Sequence, residues 1–230
     1  MKFEDTLLKV KLLKRYKRFF IDVKANNQIL TAHCPNTGSM SGLLDKNNDA
    51  YISKSHNPNR KLKYTLEIIK VKNSLVGVNT HRANKIVLEA LKMNLIKELK
   101  NCNEITQEVV FEKGTRFDFL LNKNNKNIFL EVKNVTLSRE KKIAEFPDAV
   151  TERGNKHLLK LMEAKKRGYD AYILYLIQRE NIEKFKIADY IDPNYYTSFL
   201  KVKQNGVKIL AYDCSLNSKE VKVNKPIKIL

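Results

Sequence analysis

The fold of the C-terminal two thirds of the chain is decided by Arg116-Phe117-Asp118-Phe119-Leu120-Leu121 and by Ile128-Phe129-Leu130-Glu131-Val132-Lys133. Turn-forming asparagines separate the two runs, so they are predicted to be strands paired as a hairpin. Side chains alternate between the faces of a strand, so Glu131 and Lys133 point to one face. Across the turn, Asp118 can lie beside them.

Asp118 is a charged residue in an apolar strand, which is costly unless another group compensates it. Two carboxylates that converge in a partly buried place repel each other, and Mg²⁺ or Mn²⁺ would relieve that repulsion with hard oxygen ligands. Asp118 and Glu131 are therefore predicted metal ligands. With Lys133, whose charge would act on a phosphate or its attacking water, they are the predicted catalytic residues. The alternative is a strand that carries Glu and Lys on a solvated face by chance.

Around this hairpin the pattern predicts an α/β domain over residues 81–230. The predicted elements are a helix capped by Thr80 that runs through about Leu99, a strand at 108–112, the hairpin, a helix from Thr151 to about Lys166, a strand at 171–177, a helix near 193–205 and a strand at 207–212. The helix between the hairpin and the strand 171–177 is predicted to be a crossover.

The first 80 residues predict a second unit, a small β-barrel of OB type, because short strand-like runs alternate with turn-rich gaps. The runs are 11–16, 19–23, 28–33, 50–53 and 64–71. The run Lys14-Arg15-Tyr16-Lys17-Arg18-Phe19-Phe20 interleaves cations with aromatic rings, a pattern that favours phosphate contacts and base stacking. Its predicted nucleic-acid contacts are Arg15, Tyr16, Lys17 and Arg18. The alternative is an edge strand whose solvated cations prevent aggregation.

The chain has 44 basic and 25 acidic residues, a net charge of +19 that favours a polyanion such as nucleic acid or an anionic membrane. Lysines outnumber arginines 35 to 9, which indicates that part of the surplus is compositional drift. Residues 1–80 hold 15 basic and 6 acidic side chains, against 29 and 19 in residues 81–230. The higher charge density of the first unit favours a phosphate-binding module there.

The segment from His33 to Gly42 is rich in turn formers and hydroxyl residues. Its backbone amides, with Thr37 and Ser39, are predicted to contact phosphate. The segment lacks the spacing of a P-loop, so nucleotide hydrolysis is not indicated. His33 and Cys34 are too few ligands for a zinc site, and His33 is predicted to be structural.

Several motifs along nearly the whole chain resemble the sugar fermentation stimulation protein family. They are Arg15-Tyr16-Lys17-Arg18-Phe19, His33-Cys34-Pro35-Asn36-Thr37-Gly38, Val78-Asn79-Thr80, Arg116-Phe117-Asp118-Phe119, Glu131-Val132-Lys133-Asn134-Val135-Thr136-Leu137 and Phe146-Pro147-Asp148-Ala149-Val150-Thr151-Glu152-Arg153-Gly154. The resemblance implies an N-terminal OB-fold domain, a C-terminal domain of PD-(D/E)xK nuclease fold, and DNA binding. Asp118, Glu131 and Lys133 match the nuclease motif.

The resemblance extends the predicted site to two helices. Nucleases of this fold often take a further metal carboxylate from the helix that opens the domain, which here carries Glu89; a surface glutamate is the alternative. Arg153, Lys156 and His157 share a face of the crossover helix and are predicted phosphate contacts, although a solvated face would explain them too.

The sequence thus predicts a DNA-binding protein, and specifically a Mg²⁺- or Mn²⁺-dependent nuclease that acts on DNA, including single-stranded or branched forms. A DNA-binding regulator that does not cleave and an RNA-binding module remain alternatives. No apolar run approaches the length of a membrane span and no secretory signal is seen, so a cytoplasmic location is expected. Three widely spaced cysteines are expected to be reduced.

Overall fold

The computed structural model describes residues 1–230. Its first third is a β-barrel whose strands are β1 (Leu8–Tyr16), β2 (Phe20–Ala25), β3 (Gln28–His33), β4 (Asp49–Lys54), β5 (Tyr64–Val71) and β6 (Ser74–Gly77). The sheet order is β3-β2-β1-β4-β5-β6, and a parallel pairing of β3 with β5 closes the barrel. Alternating apolar residues fill its interior, including Leu12, Ile21 and Leu66.

The remaining two thirds of the chain form an α/β unit. Its elements are α1 (Ala83–Lys92), β7 (Glu104–Glu112), β8 (Thr115–Lys123), β9 (Lys126–Val135), β10 (Ile143–Phe146), α2 (Glu152–Lys166), β11 (Asp170–Ile177), β12 (Lys184–Ile187), α3 (Pro193–Gln204), β13 (Lys208–Leu216), β14 (Val221–Pro226) and β15 (Lys228–Ile229). The main sheet has the order β14-β13-β11-β9-β8-β7, with β11 parallel to both β9 and β13. A small parallel sheet joins β10, β12 and β15.

Helices cover both faces of the main sheet. On one face α1 buries Ile86 and Val87 against sheet residues such as Leu130. On the other face α2 and α3 pack on the aromatic ring of Tyr175 and its neighbours. Strands β9 and β11 are buried on both faces, which explains their almost continuous apolar runs.

The predicted strands of the barrel, the hairpin and the crossover helix are confirmed. The first helix of the α/β unit is shorter than predicted. It ends at Lys92 because Asn94 adopts a left-handed backbone, φ 56°, while its N–H and that of Leu95 bond back to Leu91 and Ala90. The predicted cap is also displaced: Asn79, not Thr80, accepts a hydrogen bond from His81 N at the start of a 3₁₀ turn.

Polar contacts join the barrel to the α/β unit. Glu67 of β5 is buried and accepts two hydrogen bonds from the Arg82 guanidinium, at 2.7 and 3.2 Å. The backbone of β6 pairs with the segment after β11, where Gly77 N donates to Gln178 O at 2.8 Å. The first residues also reach the second unit, since Met1 is buried in the core of its sheet.

None of the helices has the length and apolar character needed to cross a membrane. The three cysteines are free thiols, as expected from their spacing, and Cys34 and Cys214 are buried.

Candidate nuclease site and nucleic-acid interface

The hairpin of β8 and β9 positions the acidic residues. Its turn is Asn124-Asn125, and both residues have positive φ, which matches the right-handed twist of the flanking strands. Phe119 pairs with Leu130, so the register continued by one residue places Asp118 opposite Glu131. The predicted convergence of the two carboxylates on adjacent strands is therefore present.

Asp118 is partly buried and is held through both oxygens. Oδ2 accepts a hydrogen bond from Val132 N at 2.7 Å, and Oδ1 accepts one from Asn84 Nδ2 at 2.8 Å. Burial, followed by the nearby charge of Glu131, raises the pKa of Asp118 despite these hydrogen bonds. The charged form of this carboxyl is thus under electrostatic strain that a cation would relieve.

Glu131 is 3% exposed, and its two oxygens differ. Oε1 accepts hydrogen bonds from Lys133 Nζ at 2.7 Å and from His157 Nδ1 at 2.6 Å. Oε2 is buried and has no partner. Burial acts to raise the pKa of Glu131, but the hydrogen bond from His157 and the charge of Lys133 outweigh it, so the pKa is lowered and the carboxylate is favoured.

These features fit a divalent cation. An unpartnered buried carboxylate oxygen is costly, and metal coordination is one way to satisfy it. No group of three or more His, Cys, Asp or Glu side chains is arranged to hold a metal ion. The site could therefore supply two carboxylates at most, an arrangement that suits Mg²⁺, which is commonly bound by one or two carboxylates together with water and substrate phosphate.

The structure does not bring Glu89 to this site. Its Oε2 forms an ion pair with the Met1 amino group at 2.8 Å. Helix α1 instead sends Asn84 to Asp118. Glu89 follows Asn84 by five residues, which corresponds to a rotation of about 140° around the helix axis, so the two side chains face different ways.

His157, predicted to be a phosphate contact with a solvated helix face as the alternative, is not exposed. It is buried, and its ring hydrogen-bonds to Glu131 while packing edge-on against Phe117 at 6.4 Å. Arg153 and Lys156 are exposed on α2. Thr151 caps this helix as predicted, accepting a hydrogen bond from Gly154 N at 3.1 Å.

A groove of about 630 Å³ lies between the barrel and the α/β unit. Its barrel wall includes Arg15, Arg18 and the segment 36–39, and its other wall is the segment 145–151. Asn134 of β9 also lines it. Because Asn134 follows Glu131 by three residues, the groove begins about 10 Å along the strand from the acidic site. We call this opening the interdomain groove.

Arg15 organises the barrel wall of the interdomain groove. Its guanidinium donates to four carbonyl oxygens, those of Asn36 at 2.6 Å, Gly38 at 3.0 Å, Arg18 at 3.1 Å and Ser39 at 3.5 Å. Arg15 therefore braces the loop, and few of its donors remain for phosphate. The hydroxyl residues Thr37 and Ser39 are exposed on this loop, as a phosphate contact requires.

The tip of the β1–β2 hairpin presents the remaining predicted contacts. Lys17 and Arg18 are exposed and both have positive φ, which turns the chain at the tip. Tyr16 stacks on Phe20 with ring centroids 5.5 Å apart and donates its hydroxyl to Asp22 at 3.3 Å. The aromatic ring available for stacking is that of Phe19, which is 47% exposed.

Comparison with known sequences identifies the family. The profile of the sugar fermentation stimulation protein RE domain matches residues 81–220, and that of the SfsA N-terminal OB domain matches residues 13–78. The chain belongs to the sugar fermentation stimulation protein family. A sugar fermentation stimulation protein homolog of Pelagibacter ubique (strain HTCC1062) is 61% identical over 230 residues, covering 100% of this chain and 99% of the relative.

More distant members agree over the full length. A homolog of Alteromonas mediterranea is 41% identical over 238 residues, covering 100% of each chain. A solved structure of Pyrococcus furiosus SfsA in complex with Ca²⁺ is 24% identical, with a TM-score of 0.90 over 100% of this chain and 98% of that one. The predicted fold, an OB-type barrel followed by a restriction-endonuclease-like α/β domain, is confirmed.

In this member of the sugar fermentation stimulation protein family, the sequence did not indicate two features of the site. Asn84 gives no local signal for contact with Asp118, since it is one polar residue among many near a helix start. The cationic run predicts stacking by its aromatic rings but does not indicate which ring is free, and in the structure Tyr16 stacks on Phe20 while Phe19 is exposed.

Proposed function

We propose that this protein binds DNA along the interdomain groove and hydrolyses a phosphodiester bond at Asp118, Glu131 and Lys133, with Mg²⁺ or Mn²⁺ as cofactor. The observation that carries the proposal is the buried, unpartnered Oε2 of Glu131 beside a carboxyl, Asp118, whose pKa is raised. A divalent cation would satisfy this oxygen and reduce the repulsion between the two carboxylates.

Each side chain has a distinct part in this proposal. Val132 N and Asn84 fix the orientation of Asp118, and His157 and Lys133 occupy one oxygen of Glu131 so that the other is free for a ligand. A bound divalent cation would supply Lewis-acid activation of water and stabilisation of phosphate charge. Lys133 Nζ would then hydrogen-bond the attacking water or a phosphate oxygen and orient it.

The DNA path is proposed from the exposed cations and hydroxyl groups at the barrel side of the interdomain groove. Lys17 and Arg18 project from the barrel hairpin, and Thr37 and Ser39 lie on the neighbouring loop. Cations and hydroxyl groups of this kind contact the backbone without reading sequence, while the ring of Phe19 offers a stacking surface for a base. This combination favours substrates with a single-stranded or branched part.

The choice of cation rests on the ligand chemistry. Carboxylate oxygens suit hard divalent ions. The relative from Pyrococcus furiosus has been solved in complex with Ca²⁺, which supports divalent-ion binding in the family. Ca²⁺ tolerates more ligands and longer bonds than Mg²⁺, so we expect it to bind without supporting efficient hydrolysis.

A cleavage screen tests this function. Supercoiled, branched and single-stranded DNA would be incubated with the wild type in Mg²⁺ or Mn²⁺, beside Asp118→Asn and Lys133→Ala. We expect divalent-dependent cleavage by the wild type and loss of at least 100-fold in either variant, since general acid–base and metal contributions are each of this size. The exposed Asp189→Asn serves as the matched control and should cleave normally.

DNA binding is measured in parallel by fluorescence anisotropy. If the site is catalytic, Asp118→Asn and Lys133→Ala retain DNA binding while cleavage is lost. DNA binding by a wild type that cleaves none of the substrates would contradict the nuclease proposal and favour a DNA-binding regulator. Tighter binding of single-stranded RNA than of any DNA would favour the RNA-binding alternative.

A further inference from the structure

A second opening lies between the barrel and the α/β unit, away from the interdomain groove. This cavity has a volume of about 720 Å³ and is bordered by the turn between β5 and β6, the loop after β9 and the loop after β11. It shares no lining residue with the interdomain groove and none with the acidic site. We call it the Arg179 cavity.

Arg179 lies in the wall of this cavity and is partly buried. Its backbone pairs with Val76 of the barrel, and Nη1 donates to Thr136 O at 3.2 Å, its one hydrogen bond through the side chain. It takes part in no salt bridge. Burial lowers the pKa of Arg179, and no acidic side chain raises it in compensation. A guanidinium taken from water without a counter-charge is unfavourable unless a ligand supplies one.

Two other partly buried arginines of the chain are satisfied by the protein. Arg82 donates two hydrogen bonds to the Glu67 carboxylate, and Arg15 donates to four carbonyl oxygens. Arg60, like Arg179, makes one side-chain hydrogen bond, to Thr65 Oγ1 at 2.8 Å. Arg179 differs from Arg15 and Arg82 because most of its fork of N–H donors has no acceptor in the protein. Arg179 also lines a cavity of sufficient size to admit a ligand.

The remaining charges of the cavity favour an anion. Its wall contains five basic residues, Lys72, Arg139, Lys141, Lys142 and Arg179, and three acidic ones, Asp45, Glu140 and Glu180. Lys142 and Glu140 are neutralised by ion pairs outside the group, with Glu183 and Lys186, and Glu180 accepts a hydrogen bond from Leu75 N. Lys72 and Lys141 take part in no ion pair and are exposed.

We propose that Arg179, with Lys72 and Lys141, binds a phosphate group in this cavity. A guanidinium fork matches two phosphate oxygens, and flexible lysines add charge around it. The position agrees with the general rule for open α/β sheets, in which ligands bind beyond the carboxyl ends of the strands, here β9 and β11. The phosphate belongs either to a nucleic-acid backbone or to a free phosphate compound, and the site does not depend on the proposed nuclease activity.

Thermal unfolding of the full chain tests the site with inorganic phosphate as the probe. Phosphate would replace chloride at constant ionic strength, and the phosphate-dependent rise in Tm would be compared between the wild type and Arg179→Gln. We expect the rise to fall by at least half in Arg179→Gln and to be unchanged in Arg116→Gln, which removes an exposed arginine of β8 that pairs with Glu108. The same rise in the wild type and Arg179→Gln would overturn the proposal, as would no rise in the wild type.

A second pair of variants covers the case in which Arg179→Gln does not fold. Lys72→Gln/Lys141→Gln changes two exposed side chains and should also reduce the phosphate-dependent rise, whereas Lys201→Gln/Lys203→Gln on α3 should leave it unchanged. An equal response of the two double variants would overturn the proposal.

DNA affinity then distinguishes the two sources of phosphate. If the ligand is a nucleic-acid backbone, Arg179→Gln reduces the slope of log affinity against log salt by about one. If the ligand is a free phosphate compound, the slope is unchanged while the phosphate-dependent rise in Tm is lost. Both results support the site.

Discussion

Glu131 has one carboxylate oxygen saturated by the protein and one left free. Lys133 and His157 together hold Oε1, whereas Oε2 has no partner although it is buried. A side chain with this asymmetry is fixed in direction, so the free oxygen points to one place. In metal sites, hydrogen bonds from neighbouring residues orient the side chains that bind the ion, and carboxylates that are adjacent by chance lack this support.

His157 should stabilise the fold through this contact. In His157→Ala, the buried Glu131 loses a hydrogen-bond donor and a cavity is left beside Phe117, so we expect a loss of about 2–4 kcal/mol in the free energy of unfolding. Urea unfolding measures it. The neighbouring exposed Lys156→Ala should change the free energy by less than about 0.5 kcal/mol. Equal stability of His157→Ala and the wild type would show that the contact is energetically unimportant.

Asp118 should destabilise the metal-free protein as the pH rises. Folding raises its pKa above the usual 3.8, so the folded protein holds this proton more tightly than the unfolded chain does. This group's favourable contribution is present at low pH and is lost as the pH rises through the raised pKa. Asp118→Asn has no titrating group at this position. With a metal chelator present, the free energy of unfolding of the wild type relative to that of Asp118→Asn should therefore fall as the pH rises from 3.8 towards neutrality. A difference between the two free energies that stays constant with pH would contradict the raised pKa.

The β1–β2 hairpin divides its cations between structure and binding. Arg15 is directed inward at carbonyl oxygens, while Lys17 and Arg18 project from the turn. Lys17→Gln/Arg18→Gln should therefore reduce the salt slope of DNA binding by about two with little change in Tm. Arg15→Gln should lower Tm because the loop 36–39 loses its brace. A fall in Tm for the double variant, with an unchanged salt slope, would mean that the tip is purely structural.

The segment that follows β10 packs directly on the barrel loop. A Cβ atom at Gly38 would lie 2.2 Å from Asp148 Oδ2, a distance that requires one of the two to move. We expect Gly38→Ala to cost about 1–3 kcal/mol of stability. A double-mutant cycle with Asp148→Ala measures the coupling, because the shorter side chain removes the clash. Additive effects of the two substitutions would show that the loop accommodates a methyl group without contact.

Across the whole molecule, the features that local chemistry controls could be predicted from the sequence. The alternation of β1 to β5, the asparagine turn between β8 and β9 and the Thr151 cap all depend on residues near each other in the chain. The convergence of Asp118 and Glu131 could be predicted because both residues lie on one hairpin. The early end of α1 also has a local signal, because Asn94 tolerates the left-handed backbone conformation that ends many helices. The apolar stripe continues past Asn94 and therefore predicts a longer helix.

The remaining features depend on contacts between distant segments. Whether His157 faces solvent or Glu131 is set by how α2 crosses the sheet, and the periodicity of α2 alone places it on a face shared with exposed cations. The short strands β10, β12 and β15 pair with one another across long intervals, and their few residues carry little strand signal. The interdomain groove likewise depends on distant segments, since the barrel loop 36–39 and Asp148 both line it.

The measurement that tests the cation site most directly is a Mn²⁺ titration followed by electron paramagnetic resonance, in which the signal of free Mn²⁺ decreases as the ion binds. We expect the wild type and the exposed control Asp189→Asn to bind Mn²⁺ alike, with Mg²⁺ competing. Glu131→Gln retains the shape of the side chain but removes the charged free oxygen, and its affinity for Mn²⁺ should fall at least 10-fold. Equal Mn²⁺ affinity of Glu131→Gln and the wild type, or no binding by either, would contradict the proposed site.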